Sequence, residues 1–112
     1  MNHPTVIKPA EHAEWRIDKM GKSTLYQSER LLVGLNSFEP GQSQRIHAHE
    51  GADKFYLVLS GKASVTVGDE TQEVGAGDLV LAPAGVPHGV PRAHERTVML
   101  VGITKQIVGI TK

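Results

Sequence analysis

The sequence has no cysteine. A disulfide framework, a thiolate zinc site and a cysteine nucleophile are therefore excluded. It has no net charge, with 12 Lys and Arg against 12 Asp and Glu, and no basic run. Nothing points to a nucleic-acid partner or an anionic membrane surface. No apolar run approaches the length of a membrane span. Residues 1–22 carry no apolar core of a secretory signal. The expectation is a cytoplasmic protein with no membrane and no nucleic-acid partner. Also missing are a sustained helical period, a nucleophilic triad, a paired-carboxylate arrangement and a phosphate-cradling loop. The pair Gly75 and Gly77 reads as a turn, since no helix follows it.

What is present is a chain of 112 residues, a length that points to one domain. From Gly34 onward, Gly and Pro alternate with short runs of Val, Leu and Ile, a pattern of many short strands. Residues 1–22 read as an arm or edge strand, with one short strand near Thr5–Lys8. Strands are expected at Arg30–Phe38, Gln44–His49, Phe55–Leu59, Ala63–Val67, Glu70–Val74, Leu79–Ala82, His88–Pro91 and Thr97–Ile103. Gly68-Asp69 is a two-residue hairpin signal. Residues 23–105 form the barrel and 106–112 a tail. Strands at this spacing predict an all-β sandwich or barrel. Val101–Lys105 recurs identically as Val108–Lys112. The repeat is either a terminal duplication without function or an extra edge strand that pairs with a partner subunit.

The chemistry lies in the histidines. His47 and His49 are two apart on an expected strand, so their side chains share a face. If that face is the barrel interior, two imidazoles converge in a water-poor cavity. His88, after the constrained corner Pro83–Pro87, offers a third. Neutral imidazole ligates Fe, Mn, Ni, Zn and Cu, and three nitrogens leave further positions open on the ion. The competing reading is three ordinary histidines, exposed or hydrogen-bonded in the core. His3, His12 and His94 carry no such pattern.

The spacing around these residues resembles the cupin superfamily. Its first motif is matched by Gly41, His47, His49 and Gly61, and its second by Gly77, Pro83, Gly85 and His88. Fifteen residues separate the two, as in small single-domain cupins. The resemblance implies a double-stranded β-helix (jelly-roll) barrel with His47, His49 and His88 as metal ligands. Two positions depart from it. Lys54 stands where the family has a ligand glutamate, and Arg92 where it has asparagine. A protonated lysine has no lone pair to give. Three outcomes stay open: a three-histidine site without a carboxylate, a carboxylate from Asp53 or Glu50 through a local rearrangement, or a metal-free pocket.

Around the histidines, alternation places Ser43 and Arg45 on their face, with Lys54, Tyr56 and Val58 from the next strand and Met99 or its neighbours from the last. Arg45, Lys54, Tyr56, Arg92 and Met99 are the candidate substrate-binding residues. Lys54 and Tyr56 are the candidate catalytic ones, Lys54 orienting an anion and Tyr56 giving a proton. The expected ligand is a small carboxylate- or enol-type molecule, handled by a dioxygenase, isomerase or decarboxylase type of enzyme with one divalent transition-metal ion. The alternatives are a non-catalytic binding or sensor module, and a purely structural dimer whose pocket is filled by side chains. Val98–Val101 and Leu31–Val33 are apolar on both faces, which predicts a homodimer.

Overall fold

Among the described residues, nine short strands form two facing sheets. The computed structural model describes residues 5–105. In chain order the strands are β1 (Gly21–Gln27), β2 (Leu31–Phe38), β3 (Gln44–His47), β4 (Lys54–Ser60), β5 (Lys62–Val67), β6 (Glu70–Gly75), β7 (Leu79–Ala82), β8 (His88–Ala93) and β9 (Thr97–Thr104). One sheet has the order β1-β2-β9-β4-β7 and the other β3-β8-β5-β6. Every neighbouring pair is antiparallel. From β2 to β5, and again from β6 to β9, the chain switches sheet at each step. This is the path of the double-stranded β-helix, and the all-β expectation holds.

Strand alternation sorts the side chains of the five-stranded sheet into two faces. On the inner face, Leu32, Ile103, Lys54 and Ala82 form one cross-strand row, and Gly34, Val101, Tyr56 and Val80 the next. Phe38, Met99 and Val58 continue the core and meet Ala63, Val65 and Val90 of the opposite sheet. Fully burying such a side chain contributes about 1.5–3 kcal/mol. On the outer face, Leu35, Leu100, Leu57 and Leu79 form one row and Val33, Gly102, Phe55 and Leu81 another. Leu79 and Leu81, at the sheet edge, are 57% and 64% exposed.

Turn chemistry closes the barrel. Val67 pairs with Glu70, so Gly68-Asp69 is the expected two-residue hairpin loop, with φ of 61° at Gly68. Gly61 has a φ of 92°, and a Cβ there would come 2.2 Å from the Arg96 carbonyl oxygen. Only glycine fits that link between β4 and β5.

The N-terminal region departs from expectation in two ways. Thr5–Lys8 forms no strand; Pro9–His12 is a short 3-10 turn instead. Pro9 fixes φ and lacks the amide a strand ladder needs. The strand β1 had no apolar alternation to announce it, because its sequence Gly-Lys-Ser-Thr-Leu-Tyr-Gln is mostly polar. It forms because β2 offers a hydrogen-bonding edge. The intervening arm is tied to the barrel. Met20 enters the core. The Arg96 guanidinium lies 3.8 Å from the Trp15 ring centroid and forms two hydrogen bonds to Glu39, at 3.0 and 3.2 Å. His3 and the second copy of the terminal repeat, Val108–Lys112, lie outside the described residues.

Candidate metal centre

His47 and His88 are paired directly across β3 and β8, as are Gln44 and Val90. Three steps along β3 therefore match two along β8, which is a bulge. A Cβ on Gly89 would come 2.9 Å from the carbonyl oxygens of Gln44 and Arg45, so this glycine lets the bulge approach β8. The bulge turns both Gln44 and His47 inward. It also overturns the simple alternation from His47. Gln44 takes the buried position, while Ser43 and Arg45 are exposed and border the outer mouth of the site. β3 ends at His47, and His49 follows in the loop.

The three imidazoles converge. Their ring centroids are 4.6 to 5.4 Å apart, and one ligand atom from each lies within 4.8 Å of the others. His47 Nδ1 donates to the Arg45 carbonyl at 2.8 Å, and His88 Nδ1 to that of Val86 at 3.0 Å. A carbonyl only accepts, so both Nδ1 atoms carry the hydrogen and both Nε2 atoms keep a free lone pair. His47 Nε2 is 3.1 Å from His49 Nε2, a spacing that suits two nitrogens about 2.0–2.1 Å from one shared ion. His88 is 1% exposed, and its Nε2 has no hydrogen-bond partner. Leaving a buried acceptor unpaired costs about 1–3 kcal/mol. A metal ion would satisfy it, so the residues present fit the group. Burial lowers the pKa of His49 and His88, with a further push from Lys54, and keeps the ligating neutral form.

Lys54 points into the same space. It is 5% exposed, between Ile103 and Ala82 on the neighbouring strands. Its ammonium sits 4.6 Å from the centroid of the Tyr56 ring. Burial pushes its pKa down to about 8, with repulsion from Lys22 adding to the shift. Among the described residues no carboxylate pairs with it. Asp53 is exposed, as alternation predicts, and its Oδ1 accepts the Ala84 amide at 2.9 Å. Glu50 is exposed too. The convergent ligand group among the described residues is made of histidine alone.

Of the other candidates, Tyr56 lies on the inner face as expected but is engaged there, while Met99 and Arg92 do not border the cavity. The Tyr56 hydroxyl donates to Gln44 Oε1, so its proton is committed there, and burial raises its pKa far above the usual value. Met99 is sealed in the core, and Val101 and Ile103 line the cavity from β9 instead. Arg92 pairs with Ser64 and is exposed, because a register shift in β5 and β8 turns it outward. Of the remaining histidines, His12 is exposed on the 3-10 turn. His94 joins Glu73 and Ser64 on the surface, with its Nε2 2.6 Å from Glu73 Oε1.

The cavity beside the histidines measures about 130 Å³ and is bordered by Asn36, Gln44, Lys54 and Ile103 as well as His47 and His49. Side chains do not fill it, contrary to the structural-dimer expectation. Asn36 and Gln44 escaped the sequence reading. Asn36, with Ser37, interrupts the apolar run of β2, and that was its only signal.

Residues 34–104 match the Cupin domain family. An uncharacterised protein of Streptomyces coelicolor is 39% identical over 77 residues, which is 67% of this chain and 70% of that protein. Oxalate decarboxylase of Bacillus subtilis is 34% identical over 73 residues, 61% of this chain but only 19% of that enzyme. The crystal structure of TT1209 from Thermus thermophilus superposes with a TM-score of 0.85 at 38% identity, covering 89% of this chain and 96% of that one. The matched segment runs from β2 to β9 and holds all three convergent histidines, and with it this chain belongs to the cupin family.

Proposed function

We propose that this protein is a metal-binding cupin that acts on a small carboxylate- or enol-type molecule. His47, His49 and His88 would hold one divalent transition-metal ion: Fe, Mn, Ni, Zn or Cu. The observation that carries this reading is the buried, unpartnered Nε2 of His88 beside two further imidazoles. A bound ion supplies Lewis acidity to a substrate oxygen. The chain's own residues do the rest. Lys54 attracts and orients the substrate anion in a low-dielectric wall. Gln44, held by Tyr56, fixes the floor. Val101 and Ile103 keep water from the far side. A dioxygenase, isomerase or decarboxylase reaction suits this arrangement, and the likeness to an oxalate decarboxylase supports a carboxylate substrate. The protein would work as a homodimer in the cytoplasm, with the outer face of the five-stranded sheet against a second copy.

The second reading is a non-catalytic binding or sensor cupin with a metal-free pocket. Lys54 favours it, because a buried cation takes the place of a charge-balancing carboxylate. Metal analysis of the purified protein separates the two. The first expects close to one ion per chain in the wild type and sharp loss in His88→Ala. A metal-free wild type with metal gained by Lys54→Glu establishes the second.

A further inference from the structure

Outside the histidine cavity lies a wider mouth of about 760 Å³, and the two share Lys22, Gln44, His47 and His49. The arm and β3 build its rim. Lys19, Lys22 and Arg45 border it, with Glu14 as the carboxylate among the lining residues. Arg16 also lines it, but its guanidinium is spent on Asp18 in two hydrogen bonds of 3.0 Å. Among the described residues, no ion pair engages Lys19, Lys22 or Arg45. Lys19, Lys22 and Arg45 thus make no close ion pair, although Lys19 also feels the neighbouring Asp18, and with Arg16 they outnumber Glu14 and Asp18 at the entrance to a cavity whose own charged group, Lys54, is also cationic and unpaired. In a chain with no net charge, this local excess concentrates positive potential on one opening. The arm is held in place to form it: Gln42 Nε2 donates to the Arg16 carbonyl at 2.8 Å.

Resting on the functional reading above, we infer that the mouth is a second anion-binding site, and that the ligand is a small dianion in the sense of a molecule with two anionic groups. One anionic group reaches Lys54 and the histidines. A second carboxylate or a phosphate, a few bonds away, stays at the rim on Lys19 and Arg45, with Lys22, which borders both cavities, adding to the field. A monoanion would use only the inner contact. The two groups differ in exposure, so they differ in screening. The rim contact weakens with salt, while the inner contact persists.

Calorimetric titration of the purified protein tests this with two matched pairs: glutarate against butyrate, and 3-phosphoglycerate against glycerate. The expected result is a dianion that binds about tenfold tighter than its partner at low salt, in at least one pair. The pair with the larger gain identifies the outer group as carboxylate or phosphate. In Lys19→Gln/Arg45→Gln, at two positions that line the mouth but not the inner cavity, that gain should disappear while the monoanion affinity stays unchanged. Both positions are exposed, so the variant should fold normally. No preference for either dianion, or a preference that survives in the double variant, overturns the inference. Metal content is measured on the same samples. A dianion preference in a protein that holds no metal would sustain the mouth and refute the metal reading alone.

Discussion

His47 and His88 face each other across β3 and β8, and each donates its Nδ1 hydrogen to the carbonyl two residues earlier in its own chain segment. The same local device thus aims two Nε2 atoms at one point. Replacing His47, His49 or His88 by Ala is therefore expected to cut bound metal at least about 100-fold in affinity, more than the loss of an outer-shell partner. His12→Ala and His94→Ala should retain it. Metal analysis after dialysis reads the result, and full retention in His88→Ala would sink the three-histidine site.

Acid should destabilise the metal-free protein. His49 and His88 have folded pKa values below their ordinary 6.5, because burial disfavours the charged ring. Between the two values the unfolded chain binds more protons. Their contribution to stability is thus present above about pH 6.5 and is lost as pH falls through the lowered folded values. Bound metal should be released over the same range as protons compete for Nε2. Melting temperature followed from pH 8 to pH 5 should fall steadily. A flat profile would mean that these rings titrate as if exposed.

Lys54 should be costly to the fold. Its folded pKa of about 8 lies below the ordinary 10.5. The stability tied to its neutral form is present above 10.5 and is lost as pH falls through 8. Lys54→Met, which keeps the volume and drops the charge, should gain about 3 kcal/mol at pH 7. That gain should vanish near pH 10.5. Urea unfolding at both pH values measures it. A less stable variant at pH 7 would show that the contact with the Tyr56 ring outweighs desolvation.

Much of this site was legible because it depends on short-range rules. Spacing of glycine, proline and histidine placed the turns and the three convergent histidines, and alternation from Lys54 put Tyr56 and Val58 inside correctly. What escaped depends on pairing between distant strands. The bulge opposite Gly89 exchanged Gln44 for Arg45, and nothing in residues 43–49 announces it. The shift between β5 and β8 turned Arg92 out in the same way. β1 is polar and forms only against the β2 edge, so Lys22 and the arm side of the mouth had no sequence signal.

The outer face of the five-stranded sheet predicts self-association. Leu35, Leu100, Leu57 and Leu79 lie side by side across four strands, next to Val33, Phe55 and Leu81. The arm covers part of this surface, since Ile7 and Pro9 share an apolar hollow with Val33 and Leu100. It does not reach the β7 end, where Leu79 and Leu81 remain more than half exposed. Among the described residues, β7 is also an edge strand with one backbone side unpaired. A contiguous apolar patch beside a free edge is a surface that a two-fold partner commonly covers. Light scattering should therefore give twice the 12.1 kDa chain mass. Leu79→Glu/Leu81→Glu should give monomer, because a carboxylate buried at such an interface loses its hydration. Both positions are exposed, so the monomer should keep its fold and its metal content. A wild-type mass of one chain at micromolar concentration would mean that these leucines face water.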